Sequence, residues 1–133
     1  MSGTATIKSA HDGTSLELSE RCGGYYRVTI SGPNFHGAAT AYEYNPGDLK
    51  AFFDDLAANW RGWLGKKEWR SLEGELSLSA TSDSTGHVTL SARIRSGPYP
   101  FDWGLSAVLL VEAGQLDGIA ASIAAFLNDS PAE

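Results

Sequence analysis

Glu73 and Glu75 are the residues whose types and spacing come nearest to an acid and base pair. They lie in residues 71–81, where alternating apolar and polar residues predict a β-strand, and residues two apart on a strand project from one face. Two carboxylates on one face can act as general acid and general base. The next predicted strand, however, would set Arg93 opposite Glu75 and Arg95 opposite Glu73. Because a guanidinium keeps a carboxylate ionised and a general acid must hold a proton, we interpret the pair as non-catalytic.

Three histidines could ligate a metal ion, but only His87 has a possible second ligand close by, which is Asp83. Asp83, Ser84 and His87 also carry the residue types of a catalytic triad. A triad needs a base that is oriented by a buried acid, whereas these residues share one predicted surface turn. The sequence contains neither a phosphate-binding glycine loop nor a G-x-S-x-G elbow. We therefore expect no metal ion, no cofactor and no catalytic residue.

The four tryptophans could form an aromatic platform for a ligand. Trp60 and Trp63 fall on the apolar stripe of a predicted helix, which indicates core packing. Trp69 follows two lysines and precedes Arg70, and an indole beside cations can anchor a protein partner, with partial burial as the alternative. This segment and the carboxylates after it give the predicted partner-binding residues: Lys66, Lys67, Trp69, Arg70, Glu73 and Glu75.

The composition is that of a folded globular protein, since 42% of the 133 residues are hydrophobic and 20% are charged. A chain of this length fits one domain, so we expect a single α+β domain over residues 1–133, with residues 128–133 as a frayed tail. No segment is apolar over the ~18 residues that a membrane span requires. The N-terminal residues also lack the basic and apolar regions of a signal peptide. We expect a cytoplasmic protein.

The single Cys22 has no partner for an intramolecular disulfide, which agrees with a reducing compartment. We expect it to be a small buried side chain at the end of a strand. The net charge of -6 would repel nucleic acid and anionic membranes, so neither is an expected partner. A basic protein partner fits this charge better, although five of the ten lysines and arginines fall between positions 50 and 70.

Four strands are predicted before the first helix, in a meander order that is typical of an antiparallel sheet. A helix follows, with Asn45 as its cap, Pro46 as its first residue and an end near Leu64. The four strands cover residues 4–9, 14–22, 25–31 and 35–44. The apolar stripe of the helix consists of Leu49, Phe52, Phe53, Leu56, Ala57, Trp60, Trp63 and Leu64.

A hairpin of two strands comes after this helix, in residues 71–81 and 87–95. The alternation in both strands marks one apolar and one polar face. A turn centred on Ser84 would pair Leu76 with Ala92 and would fix the register of the hairpin.

One more strand and a second helix complete the predicted fold. Residues 101–112 have apolar residues on both faces in their second half, so we expect that half to be covered on both sides, with Phe101 and Trp103 inward. The last helix runs from Gly114 or Gln115 to about Leu127. The predicted fold is α+β in the order ββββαβββα, with two helices packed on one antiparallel sheet of about six to seven strands.

A family of small, uncharacterised bacterial proteins resembles this chain over residues 52–95, FFDDLAANWRGWLGKKEWRSLEGELSLSATSDSTGHVTLSARIR. The shared features are a phenylalanine-led helix, the run W-R-G-W-x-G, a Trp-x-Ser-Leu-Glu segment and a turn that ends in G-H-V. No activity is assigned to that family. The tryptophan followed by a Ser-x-Glu strand also resembles, at the level of a motif, the WapI-like immunity proteins, which bind and neutralise a toxin domain of a contact-dependent competition system. That second resemblance implies an α+β fold and a non-enzymatic role, and it identifies no binding residue.

The sequence therefore predicts a non-enzymatic protein-binding domain. The resemblance makes an immunity protein that neutralises a bacterial toxin the specific form of this prediction. One alternative is a small ligand-binding or hydrolase domain that uses Trp69, Glu73 and Glu75, and another is a structural subunit that self-associates through an exposed apolar face. The expected partner is a protein such as a toxin domain.

Overall fold

The computed structural model describes residues 3–43 and 47–128 and has an α+β fold. Its strands form two antiparallel sheets, ordered β1-β2-β3-β4 and β5-β6-β7-β8. The elements among the described residues are β1 (Ala5–Lys8), β2 (Ser15–Cys22), β3 (Tyr25–Gly32), β4 (Phe35–Tyr42), α1 (Gly47–Ala58), β5 (Lys67–Arg70), β6 (Leu76–Ser82), β7 (His87–Arg95), β8 (Gly104–Glu112), a 3-10 turn (Ala113–Gln115) and α2 (Leu116–Asn128). The predicted class is confirmed, whereas the single sheet of six to seven strands is wrong because the eight strands among the described residues divide between two sheets.

The first sheet follows the predicted meander, with β1 as an edge strand that pairs with β2. Leu16 and Leu18 of β2 are buried as predicted, but Cys22 at the end of the same strand is exposed. Between the pairs Ser19–Arg27 and Cys22–Tyr25, β2 advances by three residues and β3 by two. This β-bulge, in which Glu20 has a φ of 52°, moves Cys22 to the outer face, so its predicted burial is wrong.

Helix α1 buries Leu49, Phe52, Phe53 and Leu56 as its pattern predicts, but it ends at Ala58 rather than near Leu64. The predicted cap Asn45 and first residue Pro46 lie outside the described residues. Asn59 Nδ2 donates to Asp55 O at 2.8 Å and competes with continued helix. Gly62 and Gly65 then take φ values of 119° and 77°, which a helix cannot accommodate.

Because α1 ends early, the predicted burial of Trp60 and Leu64 is wrong. Trp60 is 52% exposed and Leu64 is fully exposed, so neither belongs to the core. Trp63 does pack against the core, and its indole N–H donates to Ala80 O at 3.2 Å.

The second sheet contains one strand that sequence analysis missed. Residues 67–70 pair with residues 77–80 as β5, and residues 71–75 form the connecting turn. Leu76 N–H donates to Ser71 Oγ at 3.1 Å, and Gly74 has a φ of 78°, which suits a tight turn. The predicted strand 71–81 therefore begins only at Leu76.

The β6–β7 hairpin exists as predicted, but its register differs by two residues. Leu76 pairs with Ile94 and Leu78 pairs with Ala92. The turn is centred on Thr85 rather than Ser84, because the side chain of Asp83 accepts hydrogen bonds from Thr85. A shift of two residues preserves the buried face, so only the cross-strand partners were wrong.

Strand β8 begins at Gly104, later than predicted, so Phe101 and Trp103 lie in the preceding loop and are exposed. Within β8, Val108 is 60% exposed, and the expected cover on both faces is therefore wrong at this residue. Helix α2 agrees with the prediction and also buries Phe126. Most of the predicted frayed tail, residues 129–133, lies outside the described residues.

One hydrophobic core lies between the two sheets and the two helices. Leu16 of the first sheet, Leu78 of the second, Phe53 of α1 and Ile123 of α2 line the same small gap within it. No helix in the described part of the chain is long and apolar enough to cross a membrane.

Candidate functional site

The residues predicted to bind a partner lie immediately before β5, along it and in the turn after it. Lys66 Nζ is 3.5 Å from Glu68 Oε2 at the surface, and Lys67 Nζ is 2.9 Å from Asp55 Oδ2 on α1. Arg70 is exposed at the end of the strand. Two of the three predicted cations are thus already paired within the chain.

Glu73 and Glu75 leave the strand on which they were predicted. Glu73 is exposed in the turn, whereas Glu75 is half-buried and accepts a 2.9 Å hydrogen bond from Ser71 Oγ. The β6 residue that pairs with Arg93 is Ser77, so the predicted cross-strand pairs of carboxylates with arginines are absent from the described sheet. Because both carboxylates belong to a turn, the spacing rule that placed them on one strand face does not apply.

Trp69 lines an open groove of about 430 Å³ between α1 and β5. Its side chain is partly buried against the core, which agrees with the alternative prediction of partial burial. The other lining residues are Asp48, Ala51, Phe52, Asp55, Lys67 and Glu68. Glu73 and Glu75 do not line this groove, so the structure does not bring the predicted ligand site together around Trp69.

Asp83, Ser84 and His87, which carry the residue types of a catalytic triad, lie in or directly after the turn between β6 and β7, and the side chain of Asp83 stabilises that turn. Asp83 Oδ1 accepts the N–H of His87 at 3.0 Å and both the N–H and the hydroxyl of Thr85 at 2.8 and 2.9 Å. These hydrogen bonds lower the pKa of Asp83 to about 2. His87 Nε2 lies 3.5 Å from Glu112 Oε2. Within residues 3–43 and 47–128, no group of three or more His, Cys, Asp or Glu residues could hold a metal ion.

Three aromatic side chains project from the connection between β7 and β8, which we name the aromatic loop (residues 97–103). Phe101 is 84% exposed, Tyr99 58% and Trp103 44%. The rings of Tyr99 and Phe101 stack with a centroid distance of 5.4 Å and an interplanar angle of 3°. Apolar surface concentrated in this way is typical of protein-docking sites.

Hydrogen bonds hold the aromatic loop in one shape. Asp102 Oδ2 accepts the N–H of Tyr99 at 2.8 Å, and Asp102 N–H donates to Tyr99 O at 3.0 Å. Trp103 N–H donates to Ser96 Oγ at 3.1 Å, and Arg95 Nη2 donates to Tyr99 O at 2.6 Å. A loop that is ordered before binding loses less conformational entropy when a partner docks.

The two prolines predict a rigid connection over residues 97–100, but sequence reasoning missed the rest of this loop because Phe101 and Trp103 continue the alternating pattern of β8. A signal against that assignment was present in the sequence. Pro98 and Pro100 cannot donate to a sheet ladder, and Asp102 follows them, where its side chain can close a turn.

Arg93 lies beside the aromatic loop on the outer face of the second sheet. Its Nη1 donates to Ser106 Oγ at 2.9 Å, and its Nη2 lies over Gly104, in the space that a Cβ atom would occupy. Around it is an open trough of about 320 Å³. The trough is lined by Glu68, Ser77, Ser79, Ser91, Ser106 and Val108, among others.

The chain belongs to a family of unknown function (DUF6228), whose model matches residues 7–130. This match confirms the predicted membership of an uncharacterised family. No curated protein matches the chain. The resemblance to immunity proteins stays a prediction, because the family match does not bear on it.

Proposed function

We propose that this member of a family of unknown function is a protein-binding domain and that its partner docks on the aromatic loop. The observation that supports this most is the exposure of Tyr99, Phe101 and Trp103 on a loop already ordered by hydrogen bonds. Tyrosine, tryptophan and arginine are enriched among the residues that dominate binding energies, and Arg95 is bonded to this loop.

The aromatic loop differs from the other exposed apolar residues of the chain. Leu64 and Leu72 are also exposed, but single apolar side chains at a surface are normal in folded proteins. Stacked rings on one loop instead provide a large, rigid contact area with few rotatable bonds. This distinction favours the loop, rather than the segment around Trp69, as the main contact.

The specific form that we propose is an immunity protein that neutralises a bacterial toxin domain. It is supported by the resemblance of the segment from Trp69 to Glu73 and by the net charge of -6, which suits a basic partner. A cytoplasmic location, in which the exposed Cys22 thiol stays reduced, is part of this proposal.

The test pairs this protein with the polypeptide encoded beside its own gene. Isothermal titration calorimetry would compare the wild type with Phe101→Ala and with Leu64→Ala, a control at another exposed apolar residue. We expect Phe101→Ala to weaken binding by about tenfold or more, which corresponds to about 1.4 kcal/mol, and Leu64→Ala to leave it unchanged. Equal affinity of all three proteins, or no complex with the wild type, would contradict the proposal. The immunity form further requires that co-expression restores growth to cells that make that polypeptide.

A second candidate function is the binding of a small ligand in the groove between α1 and β5. The groove has a size suited to a small molecule and combines the Trp69 ring with charged groups of Asp48, Asp55 and Lys67. A fragment screen by NMR would favour this function if bound fragments shifted the Trp69 indole signal. Fragments that shift only the aromatic loop would argue against it.

A further inference from the structure

The hydrogen bonds of Leu110 show in which direction the backbone N–H and C=O groups of β8 (Gly104–Glu112) point. Ala10 N–H donates to Leu110 O at 2.8 Å, and Leu110 N–H donates to Ser9 Oγ at 3.0 Å. Both contacts come from the turn between β1 and β2, on the side away from β7. Alternate residues of an antiparallel strand direct their N–H and C=O groups to the same side, so the even-numbered residues of β8 face this edge.

Gly104, Ser106 and Val108 therefore present backbone groups at an open edge. On that side their N–H and C=O groups have no hydrogen-bond partner among residues 3–43 and 47–128. All three residues are exposed. The aromatic loop bounds this edge at one end, and the hydrogen bonds of Leu110 bound it at the other.

This edge lacks the features that usually prevent strand pairing. Charged residues, prolines and bulges protect edge strands, but β8 carries no charge before Glu112 and pairs with β7 in an unbroken register. The edge strands β1 and β5 are only four residues long, and three of the four residues of β5 are charged. Strand β4 is eight residues long, and one end of its outer edge is covered where the Tyr42 carbonyl accepts a hydrogen bond from Leu72 N–H at 3.4 Å.

The side chains along the edge specify what would fit there. The guanidinium of Arg93 reaches across β8 to Ser106 and Gly104, so its charge lies toward the open edge. Val108, two residues further along, is exposed and apolar. An added strand would need a carboxylate side chain near Arg93 and an apolar side chain near Val108.

We propose that the partner protein adds an extended strand to β8 along residues 104–108 and sets an acidic side chain against Arg93. This inference rests on the proposed function, because it names how the partner binds beside the aromatic loop. Main-chain hydrogen bonds supply affinity in this mode of recognition, and the side chains supply specificity. A second copy of the chain fits less well, since β8 has no carboxylate between residues 104 and 111 to meet Arg93.

The first experiment uses a defined probe, the capped peptide acetyl-Val-Glu-Val-Thr-Val-amide, and amide hydrogen exchange by NMR. In the free protein we expect the Ser106 and Val108 amides to exchange rapidly, and at saturating peptide to exchange about tenfold more slowly. Replacing the glutamate of the peptide by lysine should weaken binding about threefold. A peptide N-methylated on alternate amides should not bind, and this control leaves the protein unaltered. Unchanged exchange at Ser106 and Val108 with the unmethylated peptide would overturn the inference.

The second experiment uses the polypeptide encoded beside the gene and two variants at one position. Val108→Pro removes an N–H that faces the open edge, so the ladder to β7 is kept, whereas Val108→Ala shortens the side chain and keeps the N–H. We expect Val108→Pro to weaken binding more than tenfold and Val108→Ala less than threefold, with circular dichroism showing that both remain folded.

The outcomes separate this inference from the proposed function. If Phe101→Ala weakens binding but folded Val108→Pro binds as the wild type does, the strand-addition proposal is wrong and the proposed docking on the aromatic loop is supported. If neither substitution changes binding, both proposals fail. If sedimentation shows a wild-type dimer that Val108→Pro dissociates, the edge binds a second copy and a partner strand is excluded.

Discussion

The hydroxyl of Tyr26 donates a 3.1 Å hydrogen bond to Oε1 of Glu43, and both side chains are almost completely buried. Glu43 Oε2 is also buried and has no hydrogen-bond partner within the described part of the chain. Burial raises the pKa of Glu43 to about 7, although the hydrogen bonds from Tyr26 and from the backbone of Leu49 oppose that rise. The same burial raises the pKa of Tyr26. The folded protein therefore holds a protonated carboxyl between β4 and α1 over much of the acidic range.

Stability should fall as the pH rises from about 4.5 to about 7. The folded-state pKa of Glu43 is raised above its ordinary value of 4.5, so the folded protein binds more protons than the unfolded chain in this window. The stability that Glu43 contributes is fully present below pH 4.5 and is lost as the pH passes 7. A shift of this size corresponds to about 3 kcal/mol. Urea unfolding at pH 5 and pH 8, with the wild type and Glu43→Gln, would measure it.

Glu43→Gln should remove most of this decline, because an amide cannot ionise and its oxygen can still accept the Tyr26 hydrogen bond. Glu20→Gln, at an exposed carboxylate, serves as the matched control and should leave the decline as it is in the wild type. Parallel pH dependences for the wild type and Glu43→Gln would show that Glu43 does not titrate in this window.

Asp83→Ala should loosen the β6–β7 hairpin without unfolding the protein. Asp83 is exposed, and its carboxylate closes the turn by accepting the N–H groups of His87 and Thr85. Its pKa is lowered to about 2, so this contribution is present above pH 3.8 and is lost as the pH falls toward 2. Hydrogen exchange would show faster exchange at Thr85 and His87 in the variant. Exchange as slow as in the wild type would mean that the backbone closes the turn without this side chain.

The fold could be predicted from the sequence wherever one periodic pattern governed a whole element. The alternation of β7 and the apolar stripe of α2 placed both elements and their buried faces. Prediction failed where a local hydrogen bond or a glycine interrupted the pattern. Asn59 and Gly62 end α1 although Trp63 continues its stripe, and Ser71 binds Leu76 N–H although residues 71–81 alternate.

The candidate site was harder to predict, because an exposed aromatic side chain and a buried one look the same in a sequence. Phe101 was assigned to the core by its spacing to Leu105, whereas the contacts of Asp102 with Tyr99 show that the chain turns before β8. The open edge of β8 depends on which strand lies beside it. No local pattern contains that information.

Two glycine substitutions should separate a packed contact from a flexible one. At Gly37 a Cβ atom would lie 2.7 Å from Leu105 Cδ2, in a region where Leu105 packs against the core, so Gly37→Ala should cost about 1 kcal/mol or more. At Gly104 a Cβ atom would meet only the end of the Arg93 side chain, which can move, and Gly104→Ala should change stability by less than about 0.5 kcal/mol. Thermal unfolding would measure both. Equal costs would mean that Arg93 is held as firmly as the core.

Trp63 and Trp60 provide the sharpest test of where α1 ends. The Trp63 indole donates to Ala80 O at 3.2 Å and lies under the Lys67 ammonium, 5.7 Å from the ring centroid, whereas Trp60 is half exposed. Trp63→Phe should therefore destabilise the protein by about 1 to 3 kcal/mol, since it removes the indole hydrogen bond to Ala80 O and part of a ring that packs against the core, and Trp60→Phe should cost less than about 0.5 kcal/mol. Chemical denaturation followed by circular dichroism would measure both variants. If α1 continued to Leu64, both tryptophans would share its buried stripe and the two costs would be similar.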